Sequence, residues 1–309
     1  MKEGKTTAIS RKRIKINGDK LFEGILMVIL IIVGISMLYP FIYVLAISLN
    51  DPIDTELGGI WLIPRVLSFE SYKIILQESE LLYATFISVA RTVIGTTLTV
   101  LFSSLFAYLF TRSDFLLYKP LKAFFFFAMF FGGGGLIPTY MLYLNLGLYN
   151  NFLVYIVPYI INLWYVVLFR TYFRSVPGEL LEAAKVDGAN DIRVFFGILM
   201  PVSKPIFATV GLYAAVYQWN SYRDTLYYTT NKSLRTLQYI CMEMIKKAEG
   251  AKMIDRATMF ELFHGDAVMA DPLSLRMAIT VITVVPIICV YPFLQKYFMK
   301  GIMVGSMKG

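Results

Sequence analysis

Six stretches of this chain are apolar for long enough to cross a bilayer, and they constrain its fold more than any other feature. A hydrocarbon core of about 30 Å takes about 20 helical residues, since each adds about 1.5 Å along the axis. The stretches expected to serve lie at about 21–49, 81–111, 121–144, 152–173, 206–220 and 277–295. An all-α integral membrane protein with six transmembrane helices, a permease-like domain over 21–299, is therefore the expected fold. Composition agrees: 57% apolar and 16% aromatic residues leave 16% charged, which excludes an ordinary soluble enzyme. The first run is too long for a signal-peptide core and no Ala-x-Ala closes it, so it is expected to remain as a span.

Between the fourth and fifth runs, in a loop over 175–205, lies a polar island, Glu182-Ala183-Ala184-Lys185-Val186-Asp187-Gly188-Ala189. Pro177 suits a helix start, and Glu179 and Glu182 then complement the positive end of that helix. Ala183 and Ala184 leave a patch without bulky side chains, and Gly188 permits the reversal that leaves the helix. Such a helix is what a docking element requires. It also suits an ordinary amphipathic loop helix, and spacing alone does not separate the two.

A resemblance does. Glu182-Ala183-Ala184, Asp187-Gly188-Ala189, Ile198 and Pro201 resemble the EAA loop of permease subunits of binding-protein-dependent ATP-binding-cassette (ABC) importers, with Met200 where that family usually has Leu. Ala107-Tyr108 before Thr111-Arg112, Gly134 to Pro138, Trp219-Asn220-Ser221 and the segment Tyr291 to Phe298 resemble the carbohydrate branch, and within it the polysaccharide-type permeases related to the smaller maltose permease subunit. The resemblance implies a type I ABC importer permease fold in a bacterial cytoplasmic membrane, with the loop forming a cytoplasmic coupling helix. It implies that Glu182 pairs with a basic group of an ATPase cleft, and that Ala183, Ala184 and Gly188 allow a close fit. It also implies the partners: a second permease subunit, an ATP-binding subunit dimer carrying ATP and Mg, and an extracytoplasmic solute-binding protein. The end of the chain, Lys308-Gly309, resembles a segment that reaches toward the ATPase subunits.

Charge orients the chain independently. Residues 1–20 carry seven basic residues against Glu3 and Asp19. With six spans, the N-terminus, the segment 112–122, the segment 170–204 and the chain from Lys296 onward hold eighteen basic and seven acidic residues, whereas 50–80 holds two basic and six acidic. Basic residues favour the cytoplasmic side, so both termini, the tail 300–309 and the Glu182 loop are expected there. The polar segment 221–276 is then an extracytoplasmic loop with some helix. The same distribution explains a formal charge of +8 without nucleic-acid binding.

Three features inside the runs suggest a pathway. Arg91 is expected to reach the outer interface or pair with Glu78 or Glu80, although an ionisable residue in a span can also mark a route. Gly132 to Gly135 cannot form a stable helix interior; they are either a break beside the route or, the reading preferred here, a helix end at the outer interface. Tyr140, Trp164, Tyr217, Trp219 and Asn220 are read by default as part of an aromatic belt, with the lining of a sugar-passing vestibule as the alternative.

No Gly-x-x-x-x-Gly-Lys-Ser/Thr loop is present, so ATP hydrolysis has to come from a partner and no cofactor is expected on this chain. Cys241 and Cys289 have no CxxC neighbour and His264 is the only histidine, which supports neither a metal site nor a disulfide framework. A secondary transporter would show paired repeats and ionisable groups at mid-membrane, and an intramembrane enzyme a paired base and nucleophile. Neither pattern is found. The function expected is that of a membrane-spanning importer subunit for a carbohydrate; another neutral polar solute is not excluded.

Overall fold

The computed structural model describes residues 18–77, 79–112, 117–131, 134–251 and 272–306. Among these residues there is no β-strand, only an isolated bridge between Asn50 and Leu67. Three helices are long and apolar enough to cross a membrane: α1 (Gly18–Ser48), α4 (Ser79–Leu109) and a last helix, Pro272–Ser306, here α14. Between α1 and α4 lie two short helices, α2 (Pro52–Glu56) and α3 (Glu70–Gln77). Asp51 caps α2 by accepting from the amides of Ile53 and Asp54, which satisfies donors that a helix start leaves free.

The other apolar runs are interrupted, and each break has a local cause. The third divides into α5 (Tyr118–Phe130) and α6 (Leu136–Asn145), separated by the glycine run, in which Gly135 takes φ +93°. A side chain rarely adopts that conformation, so glycine is required at the turn. The fourth begins as two 3₁₀ turns, Phe152–Tyr155 and Val157–Tyr159, and only then becomes α7 (Leu163–Phe173), bent by 44° from them. Asn162 caps α7 by accepting from the amides of Trp164 and Tyr165. A continuous helix over 152–173 is therefore replaced by a broken one, which Pro158 and the Asn162 cap account for.

After α7 the chain forms α8 (Gly178–Val186), α9 (Asp191–Val194), a π-helical turn at Phe195–Leu199 and α10 (Met200–Val202). It then turns by 85° into α11 (Lys204–Asn220). Pro205 sits in the first turn of α11, where its missing N–H costs nothing. Beyond α11 come α12 (Arg223–Tyr228), a 3₁₀ turn at Lys232–Leu234 and α13 (Leu237–Ala251).

Helix α4 is the central post: α11 and α7 pack along it, while α14 packs on α11, α13 and α1. The largest buried cluster joins Ala107 and Tyr108 of α4, and Phe110 just after it, to Phe169 and Phe173 of α7, Val210 of α11, and Ala184, Val194 and Phe195 of the segment from α8 to the π-helical turn. Elsewhere the surface is strongly apolar. Helix α1 exposes Leu21, Phe22, Met27, Leu30, Ile35, Met37 and Leu38, an area that a water-soluble monomer does not carry and a bilayer covers.

Candidate functional site

Two polar regions lie at opposite ends of this bundle. Helix α11 enters from α10 at Lys204 and ends at Asn220, and its 17 residues span about 25 Å. Its start adjoins the α8–α9 segment, and its end lines a cavity.

The cavity has a volume of about 660 Å³, walled by Gly135, Leu136, Thr139 and Tyr143 from the α6 side, Tyr159 from the 3₁₀ turn before α7, Val216, Tyr217 and Asn220 from α11, and Ser221 to Asp224 with Tyr227 and Tyr228 around α12. Six tyrosines thus share one concave surface with an amide, two hydroxyls and two charged groups. Tyr159 and Tyr217 meet edge to face at 5.3 Å, as do Tyr143 and Tyr228 at 4.8 Å. Burial raises the Tyr228 phenol above its ordinary pKa, with the Asp224 charge adding to the effect, so the hydroxyl stays protonated and able to donate.

Behind this wall lies a buried ion pair. Arg91 has no exposed surface and does not reach the interface. Its Nη2 donates to Asp224 Oδ2 at 2.5 Å, its Nε to Gln218 Oε1 at 2.9 Å and its Nη1 to the Ser221 carbonyl at 3.1 Å, while its guanidinium lies 4.6 Å from the Tyr155 ring centre. Asp224 also accepts from the Tyr159 hydroxyl at 2.7 Å and the Ser221 hydroxyl at 2.9 Å. The expected pairing of Arg91 with Glu78 or Glu80 is therefore corrected. Glu80 pairs instead with Lys232 and Arg235, and Glu78 lies outside the described residues. A buried charge requires a partner and further hydrogen bonds, and Asp224 supplies the charge from 133 residues away.

Of the residues singled out for a pathway, Tyr217 and Asn220 line the cavity. Tyr140 stands one layer back, stacked on Tyr228 at 6.4 Å. Trp164 is exposed away from the cavity, and Trp219 lies in a separate apolar groove of about 320 Å³, donating to the Thr283 carbonyl at 3.0 Å. Gly135 is part of the cavity wall and stands at the N-cap of α6, while Gly132 and Gly133 lie outside the described residues.

At the other end, α8 presents Glu182, Ala183, Lys185, Val186 and Asp187 to the exterior. Ala184 does not join that face: it is buried against the cluster of Val194 and Phe195, because the rotation of α8 is set by its inward packing. The helix ends in a Schellman motif. Ala189 N–H donates to the Ala184 carbonyl and Gly188 N–H to the Lys185 carbonyl, with Gly188 at φ +79° and open space where a Cβ would stand. Ile198 is half-buried on the π-helical turn and Pro201 is exposed on α10. The segment is braced by Asp191, which pairs with Arg112 and accepts from the Tyr108 hydroxyl at 3.3 Å. Lys308, Gly309 and His264 lie outside the described residues. Among the described residues no group of His, Cys, Asp and Glu could hold a metal ion.

No family model matches the sequence. The chain is 32% identical over 291 residues to the polygalacturonan/rhamnogalacturonan transport system permease protein YtcP of Bacillus subtilis, covering 94% of this chain and 99% of that one. It is 30% identical over 285 residues to protein LplC of the same organism, covering 90% and 91%, and 26% identical over 300 residues to the trehalose/maltose transport system permease protein MalG of Thermococcus litoralis, covering 94% and 99%. A crystal structure of a bacterial ABC transporter involved in the import of the acidic polysaccharide alginate contains a chain that superposes with a TM-score of 0.82 at 26% identity, covering 95% of this chain and all of that one. The shared sequence over almost the full length and the shared helical architecture converge on one assignment: the chain belongs to the permease subunits of sugar ABC transporters.

Proposed function

We propose that this chain is the membrane-spanning half of an ATP-driven importer, forms one wall of the route for a carbohydrate, and is coupled to a separate ATPase through α8. The observation that carries this reading is the division of polar surface between the two ends of the bundle. A tyrosine-lined cavity sits at one end and an exposed, precisely terminated helix at the other, joined by α4 and α11. Tyrosine faces stack on the apolar faces of sugar rings while their hydroxyls and Asn220 meet sugar hydroxyls. The saccharides named for YtcP and MalG support a carbohydrate as cargo.

In this account the chain takes six spans with both termini and α8 in the cytoplasm and the cavity on the outer side. Glu182, Ala183, Asp187 and Gly188 meet the ATPase cleft, while buried Ala184 sets the height at which α8 stands off the bundle. Ala189, Ile198 and Pro201 shape the return to α11, and Lys308-Gly309 reach toward the ATPase. Closure of an ATPase dimer on ATP and Mg would move α8, and the rigid cluster around Phe173 and Phe195 would pass that movement to α7 and α11. Such coupling requires that α8 be held differently in two states. A second permease completes the route and a solute-binding protein delivers the cargo.

Co-purification tests the partnership, and cysteine labelling tests the orientation. The tagged chain is expected to recover an ATP-binding subunit, and cysteines at Lys185 and Lys247 to label from opposite faces of the membrane. Recovery without any ATPase, or labelling of both from one side, would overturn the proposal.

A further inference from the structure

One charge on the cavity wall has no partner among the described residues. Among its lining residues only Arg223 and Asp224 are charged. Asp224 is held by Arg91, Tyr159 and Ser221, so its negative charge is satisfied from within. Arg223 is adjacent in sequence yet does not share that carboxylate. It is exposed at the cavity wall, and among the described residues it has no hydrogen bond or ion pair. The cavity therefore offers tyrosine faces, neutral hydroxyls and one unpaired guanidinium.

A neutral saccharide uses the first two and has no use for the third. A guanidinium presents a planar fork of donors that matches a carboxylate with two parallel charge-assisted hydrogen bonds. We infer that this cavity is selective for an acidic saccharide, with Arg223 as the residue that reads a uronate carboxylate and Tyr159 and Tyr217 as the faces against which the sugar ring lies. The volume of about 660 Å³ accommodates a short oligosaccharide segment. The buried Arg91–Asp224 pair has a part in this selectivity. It keeps Asp224 from neutralising Arg223, so the positive charge remains available to the ligand.

This assignment rests on the reading of the cavity as a saccharide vestibule, and the test separates the two. The full chain is placed in nanodiscs of zwitterionic lipid, so that no anionic headgroup competes. Binding of trigalacturonate and of its fully methyl-esterified form is followed by saturation-transfer NMR, which detects weak ligands. The acid is expected to bind more tightly than the ester by on the order of tenfold, as for a charge-assisted pair. Arg223→Gln removes that difference and leaves the ester unchanged, Arg223→Lys retains part of it, and Tyr217→Ala weakens both probes. Acetate at the same carboxylate concentration should displace little of the acid. Equal binding of acid and ester to the parent, an unchanged difference in Arg223→Gln, or full displacement by acetate would each overturn the inference. If the two probes bind equally and Tyr217→Ala still weakens them, the vestibule stands and its charge selectivity falls. If neither probe binds, both fall.

Discussion

Replacing Asp224 by leucine should destabilise the protein by about 3 to 5 kcal/mol, the range for removing one partner of a buried ion pair. The structure places the value toward the lower end, because Arg91 keeps Gln218, the Ser221 carbonyl and the face of Tyr155. Asp224→Asn preserves shape and an acceptor while losing charge. Its loss should be smaller, about 1.5 to 3 kcal/mol, as for hydrogen bonds to charged groups. The informative variant is the double one, Arg91→Met with Asp224→Leu. It leaves no uncompensated charge, so it should be less destabilised than Asp224→Leu alone, although the hydroxyls of Tyr159 and Ser221 lose an acceptor. Unfolding of the purified chain in mixed micelles across parent, Arg91→Met, Asp224→Leu and the double variant gives the coupling energy directly. If the two single losses simply add, the pair is not the buried tie between α4 and α12 described above.

Gly188→Val should leave insertion intact but strain the Schellman turn by about 1 to 2 kcal/mol, because φ +79° is a left-handed conformation; recovery of the ATPase with the tagged chain should fall, and unchanged recovery would reject the role of this turn. Arg112→Asp should release Asp191 and loosen α9 against the end of α4, and the exchanged pair Arg112→Asp with Asp191→Arg should restore part of the lost transport; identical behaviour of single and exchanged variants would show that the brace is not used. After α1, the Asn50 amide foremost holds the Asp54 carboxyl below its ordinary pKa of 3.8; burial opposes it, and the Arg65 guanidinium adds to the lowering. A lowered carboxyl pKa contributes stability above the unfolded value and loses it as pH falls through the folded one. Amide exchange of residues 50–67, corrected for intrinsic rates, should therefore be constant above about pH 5 and accelerate below 3.8, a change that Asp54→Asn abolishes.

The long helices were legible because lipid imposes one requirement along their whole length. α1, α4 and α14 each hold an apolar window of at least 18 residues, so no tertiary information was needed to see them. The broken runs were harder for the converse reason. Pro158, Asn162 and Gly135 act locally, and whether they interrupt a span or end it depends on what packs beside them. Arg91 illustrates the limit most clearly. Charge matching along the sequence pointed to Glu78 or Glu80, but only the packing of α11 against α4 brings Asp224 and Gln218 to its guanidinium. The aromatic residues near Tyr217 could not be divided from sequence either, since an interfacial belt and a sugar vestibule both call for rings with polar tips. Packing sends Tyr217 and Asn220 into the cavity, Trp219 to an apolar groove and Trp164 outward. In the EAA segment the helix and its glycine stop were visible in Pro177 and Gly188. The burial of Ala184 was not, because it depends on Val194 and Phe195 folding back from the next turn.

The central claim, that α8 transmits ATP hydrolysis to the sugar route, is tested most directly at Glu182. This side chain is exposed and has no partner among the described residues, so its replacement should leave the membrane fold unchanged. Sealed in an ATPase cleft against a cation, it becomes a pair whose disruption costs about 3 to 5 kcal/mol. Uptake of labelled solute and recovery of the ATPase are measured together for Glu182→Lys, Glu182→Gln and the lysine variant combined with an opposite charge change in the ATPase. Transport should be abolished in Glu182→Lys, impaired in Glu182→Gln and partly rescued by the compensating change, with insertion unchanged in all three. Transport by Glu182→Lys at the parent rate would contradict coupling through this helix by charge.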